Sequence, residues 1–150
     1  MAAGLVATLA VAIDGPAGSG KSSVSKAVAR RLGWGYLDTG AAYRALTWAV
    51  TNGLVAHATD LDSLDLNEKF EYSISMDPND YWVRVGETEV TDSIRSARVA
   101  EDVSEVARIG AVREYMKSLT RDLVAGCDLP GIVVEGRDIT TVVLPDAQVR

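Results

Sequence analysis

The chain has 150 residues, 47% of them hydrophobic and 24% charged, with a formal net charge of −6. This is the length of one domain with ample apolar material for a core, and the acidic balance excludes a nucleic-acid binder held mainly by phosphate neutralisation. One cysteine, Cys127, and one histidine, His57, leave no material for an intrachain disulfide or a multi-cysteine metal site, and little for a His-based zinc site or a Ser-His-Asp triad.

In chain order, Thr8–Ile13 is an apolar run that predicts a strand buried on both faces. The apolar start from Leu5 has no basic region before it and runs into a glycine-rich turn, so it reads as a strand rather than a leader, and the protein as cytoplasmic. Asp14–Gly20 is a turn. Lys21–Leu32 follows as a helix with Val24, Ala27, Val28 and Leu32 on one face, stopped by Gly33. Tyr36–Leu37 is a very short strand, and Ala41–Asn52 a second helix closed by Gly53.

After His57 the period changes. Phe70, Tyr72, Ile74 and Met76 alternate with polar residues, predicting a half-exposed strand. A turn at Asp77–Asp80 leads to a partner strand over Tyr81–Val85, and Gly86-Glu87 turns the chain into Thr88–Val90. Residues 94–125 return to a helical period, with Gly110 separating two helices. Ile132–Val134 is a buried strand, Glu135–Asp146 a loop, and Ala147–Arg150 the start of a fourth core strand. The expected class is α/β: a three-layer P-loop core with a parallel sheet, formed by residues 1–53 and 127–150, with residues 54–126 as a small α+β insertion and linking helices. Residues 1–50 carry five basic and two acidic side chains, whereas 51–105 carry four and thirteen, which also suggests two subregions with different duties. In the acidic middle the carboxylates are scattered through turns and strand faces, as on a solvated surface.

The strongest motif is Gly15, Pro16, Ala17, Gly18, Ser19, Gly20, Lys21, Ser22, a complete G-x-x-x-x-G-K-[ST] loop. Glycines let the backbone turn so that successive N–H groups face phosphate oxygens, and the following helix presents its open N-terminus to the same anion. Lys21 would reach the β- and γ-phosphates of ATP or GTP, the Ser22 hydroxyl would ligate Mg²⁺, and Ser23 completes the cradle. The loop follows an apolar strand and opens an amphipathic helix, the context the mechanism requires.

Two further stretches carry a resemblance. Asp38-Thr39-Gly40-Ala41-Ala42-Tyr43-Arg44 matches D-[ST]-G-A-x-Y-R, and Gly136-Arg137-Asp138 through Thr141 to Pro145-Asp146-Ala147 matches G-R-D-x-x-T-V-V-x-P-D-A. With the P-loop before them, the chain resembles the bacterial cytidylate kinase family along its whole length. Thr140 is a departure, standing where a smaller or more apolar residue such as glycine is expected.

The resemblance implies transfer of the γ-phosphate of ATP, as its Mg²⁺ complex, to CMP or dCMP by a protein that is monomeric when intact, with no nucleic-acid or membrane partner. It implies that Lys21, Arg44 and Arg137 are catalytic and that Asp38, Thr39, Tyr43, Arg44, Ser104, Arg113, Arg137 and Asp138 bind CMP. Arginine suits a phosphate with two charges because its donors are planar and bidentate. A carboxylate at Asp138 suits the exocyclic amine of cytosine, and a cation or hydroxyl suits N3 and O2. Asp38 could orient metal-bound waters or cap the following helix, and Asp14 reads as a turn-former. The family continues beyond Arg150 through an arginine-bearing lid, so the expectation is a C-terminally truncated chain that is a poor catalyst alone. The alternatives are another small-molecule P-loop kinase of shikimate or gluconate type, or a non-catalytic nucleotide-binding module.

Overall fold

The computed structural model of the protein describes residues 9–16, 20–55, 60–62 and 65–150. The expectations for Leu5–Thr8, for Ala17, Gly18 and Ser19, and for His57 lie outside the described residues. The contacts group the chain into two units: one from the described residues of Met1–Thr39, Met76–Asp80 and Leu119–Arg150, the other from those of Gly40–Ser75 and Tyr81–Ser118. The helix over Gly40–Thr51 falls in the second unit, whereas the sequence reading assigns it to the core.

In the first unit, strands β1 (Leu9–Asp14), β2 (Gly35–Asp38) and β6 (Gly131–Gly136) form a parallel sheet in the order β1-β6-β2. The central strand is buried along its whole length, and its Ile132-Val133-Val134 run is what a strand covered on both faces requires. β1 differs from the sequence expectation. Ala10 and Ala12 are buried, while Val11 and Ile13 are only half-buried and Leu9 is exposed. The register sets Asp14 opposite Gly136 and Asp38 opposite Glu135, so all three strands finish together at their carboxyl ends. The expected fourth strand is present only as a parallel bridge between Val11 and Val149, supported by Ala12 N–H donating to the Val149 carbonyl at 2.9 Å.

Helix α1 (Lys21–Leu32) packs on β6 and β2 and ends at Gly33, whose left-handed backbone lets its N–H cap the Ala29 and Arg30 carbonyls. The face it buries is not the predicted one. Val24 and Leu32 are 58% and 50% exposed, whereas Ser25 and Ala29 are fully buried. Two small side chains one turn apart thus form the buried row, and Val24 and Leu32 lie off it. After β6 the chain forms a π-type turn over Ile139–Val143, closed by Val142 and Val143 N–H donating to the Asp138 carbonyl, where an irregular loop was expected.

The second unit contains α2 (Gly40–Thr51), α3 (Leu66–Lys69), the antiparallel strands β3 (Tyr72–Ile74), β4 (Val83–Val85) and β5 (Thr88–Glu89), α4 (Ala97–Ala107) and the start of α5 (Gly110–Ala125). The meander and the helix break near Gly110 match expectation. α2, whose Ala41, Ala45, Leu46 and Ala49 are buried, packs against α4, and Ser96 caps α4 by accepting from the Val99 N–H at 3.3 Å.

Candidate functional site

The site in the first unit grows from the three strand ends, where open parallel sheets hold their ligands. β1 delivers the chain at Asp14 into the Gly15–Ser22 loop, of which Gly15, Pro16, Gly20, Lys21 and Ser22 are described. Gly20 sits at the N-cap of α1 with φ of 81°, left-handed backbone that favours glycine. Among the described residues no side chain caps this helix start and none in its first turn is acidic, an arrangement that suits an anion. The Lys21 ammonium donates to the Gly15 carbonyl at 2.6 Å, back to the first residue of its own loop. Ser22 and Ser23 are exposed in the first turn.

Glu135, which the sequence reading did not single out, is the centre of the site. Its carboxylate is 1% exposed at the end of β6. Oε1 accepts from the Ser22 hydroxyl at 2.6 Å and from the Tyr36 hydroxyl on β2. Oε2 is buried with no hydrogen-bond partner among the described residues, an arrangement that is expensive unless a cation or donor arrives there. Burial, reinforced by the charges of Asp38 and Glu135, pushes the Tyr36 phenol well above its ordinary value, so it stays a donor. The Lys26 ammonium lies 5.6 Å from the centre of the Tyr36 ring. The signal that could have found Glu135 was an acid closing an apolar strand beside the P-loop strand.

Thr39, at the end of β2, donates both its N–H (3.1 Å) and its hydroxyl (2.9 Å) to the Glu135 carbonyl. Gly136 makes this possible, since a Cβ there would lie 2.0 Å from Thr39 Oγ1. Asp38 is buried beside it, and Arg137 and Asp138 follow Gly136 as exposed residues. The first unit therefore brings together Gly15, Gly20, Lys21, Ser22, Asp38, Thr39, Arg137 and Asp138 at the sheet's carboxyl edge. The remaining predicted residues belong to the second unit: Tyr43 and Arg44 half-buried on α2, Ser104 exposed on α4, and Arg113 exposed on α5.

A family model for cytidylate kinase matches residues 11–150. The chain belongs to the cytidylate kinase family. It is 46% identical over 151 residues to a cytidylate kinase of Streptomyces avermitilis, covering 99% of this chain and 64% of that protein. Cytidylate kinases of Streptococcus suis and Mycobacterium avium are 45% and 47% identical, covering 95% and 96% of this chain and 63% and 62% of theirs. The chain thus spans less than two thirds of the length of these relatives.

The parallel sheet with its flanking helices is the fold expected of a P-loop nucleoside monophosphate kinase. Among the described residues no helix is long and apolar enough to cross a membrane. The cytidylate kinase family implies Mg²⁺ with its nucleotide, and the residues present fit that ion. The Ser22 hydroxyl and the unpartnered Oε2 of Glu135 are hard oxygen donors at one place, and Mg²⁺ takes few protein ligands when phosphates and waters complete its octahedron.

Proposed function

We propose that the protein transfers the γ-phosphate of ATP to CMP or dCMP, giving ADP and the nucleoside diphosphate. The observation that supports this reading is the convergence of a lysine-bearing P-loop with Thr39 and the Arg137–Asp138 pair at one edge of a parallel sheet. A CMP phosphate oxygen attacks the γ-phosphorus, the bond from that phosphorus to the β–γ bridging oxygen breaks, and ADP leaves with the bond's electron pair. The attacking oxygen is already ionised near neutrality, so no general base is needed; positioning and charge neutralisation do the work.

Lys21 exchanges the Gly15 carbonyl for the β- and γ-phosphates, while the open N–H groups of α1 hold the phosphate chain. Ser22 and Glu135 would hold Mg²⁺, which would supply positive charge to offset that of the phosphates. From the family resemblance, Thr39, Arg44 and Arg137 are assigned to the acceptor phosphate, Tyr43 and Asp38 to CMP binding, and Asp138, Arg113 and Ser104 to the base. Residues 54–126 stand in this reading as the acceptor-side insertion of a monomeric protein acting in the cytoplasm, where both nucleotides are found.

The test is calorimetric titration with CMP, dCMP, UMP and AMP, followed by a coupled ADP-release assay with MgATP. CMP and dCMP are expected to bind more tightly than UMP, because uracil turns an acceptor, O4, toward Asp138. Equal or tighter binding of UMP, or AMP above CMP, refutes the base assignment.

A further inference from the structure

Asp14 is not used by the scheme above, and its contacts are not those of a turn-former. From the end of β1 its carboxylate reaches across to the chain leaving β6. Oδ1 accepts from the Ile139 N–H at 2.6 Å and from the Thr140 N–H at 3.4 Å. Oδ2 accepts from the same Thr140 N–H at 3.2 Å and from the Thr140 hydroxyl at 2.5 Å. Both carboxylate oxygens are thus committed to two adjacent residues more than 120 positions away in sequence.

The residue just before them is Asp138, with φ of 57° and ψ of 24°. It is the only non-glycine residue with positive φ among the described residues. Left-handed backbone is uncommon outside glycine; aspartate tolerates it better than most residues, and surrounding bonds decide whether it is kept. Here the fixing is visible on the following residues: Asp14 grips the next two N–H groups, Ile139 is 1% exposed, and the Asp138 carbonyl accepts from Val142 and Val143. If that turn relaxes, the exposed side chains of Arg137 and Asp138 change direction together. Thr140 gains a function in this arrangement. A glycine there would keep the N–H donor and lose the hydroxyl, so the departure from the family pattern is itself part of the grip.

We propose that Asp14, with Thr140, is a positioning pair for acceptor recognition, holding the Arg137–Asp138 turn in the conformation that reads CMP. The proposal rests on the CMP-kinase reading above and deepens it: one strand end carries the donor loop forward and, through its last side chain, sets the acceptor loop.

The test uses Asp14→Asn, Asp14→Ala and Thr140→Val, titrated with CMP, UMP and ATP, with hydrogen exchange followed at the Ile139 and Thr140 amides. In Asp14→Ala both amides are expected to exchange faster. CMP affinity should fall about tenfold and the preference for CMP over UMP should shrink by a similar factor, while ATP affinity holds within about twofold. Asp14→Asn, which keeps one acceptor oxygen, and Thr140→Val should lose about threefold each. If Asp14→Ala does not fold, these two carry the test. Faster amide exchange with unchanged CMP affinity and selectivity overturns the proposal, as does an equal loss for CMP, UMP and ATP, which marks a merely structural bond. A wild-type chain with no preference for CMP refutes the functional reading instead, and shows itself without any variant.

Discussion

Gly136→Ala tests the closest contact in the site. The new Cβ would lie 2.0 Å from Thr39 Oγ1 and 3.1 Å from Ile139 Cδ1. The isoleucine tip can give by a few tenths of an ångström, but the threonine cannot stay: its hydroxyl must leave the Glu135 carbonyl it donates to at 2.9 Å. Overpacking and one lost, partly buried hydrogen bond together amount to about 2–4 kcal/mol of destabilisation. For a chain of this size that is a drop in Tm of about 5–15 °C. Thr39→Ala removes the clashing atom, so adding Gly136→Ala to it should cost under about 1 kcal/mol more. A double-mutant cycle read by urea denaturation should therefore show a coupling of about 1–3 kcal/mol. Additivity within about 0.5 kcal/mol would mean that the two residues do not touch and that the strand ends are arranged differently.

Lys21→Ala is expected to reduce phosphoryl transfer by at least about a thousandfold, on the scale of lost transition-state cations, while CMP affinity measured by calorimetry stays within about twofold. Loss of CMP binding with ATP binding kept would mean that donor and acceptor sides are reversed. Glu135→Gln keeps an oxygen for Ser22 and Tyr36 but removes the charge, so the Mg²⁺ concentration for half-maximal nucleotide binding should rise about 10–100-fold with the fold intact by circular dichroism. Because burial raises the Tyr36 phenol, its contribution to stability is complete below pH 10, the unfolded value, and is lost as pH rises above it. Unfolding free energy should therefore fall there by about 1.4 kcal/mol per pH unit from this group, a slope that Tyr36→Phe removes.

The P-loop was legible because its chemistry demands fixed residue types at fixed spacing, and β6 because an unbroken Ile-Val-Val run has few other uses. Glu135 was not, because strand limits were read from apolarity and a buried acid looks like the start of a loop; only the Ser22 and Tyr36 hydroxyls explain its place. The buried face of α1 was misjudged for a related reason. Helical periodicity ranks positions by hydrophobicity, yet here the buried row is Ser25 and Ala29. The turn after β6 was unreadable since its geometry depends on Asp14, a residue whose partners are distant in sequence and adjacent only once β1 and β6 have paired.

The bond from Lys21 to the Gly15 carbonyl bears on how a nucleotide enters. A free lysine would surrender roughly 1.5–2 kcal/mol of rotamer freedom on capture. This one is already hydrogen-bonded within its own loop, so an arriving phosphate replaces one acceptor with another rather than recruiting a moving side chain. The exchange is favourable in proportion to how much more charge the newcomer carries than a neutral carbonyl. A singly charged anion gains little by dislodging the lysine, and a chain of phosphates gains a great deal. Under the proposed function, the resting contact would act as a threshold that favours a chain of phosphates over a singly charged ion.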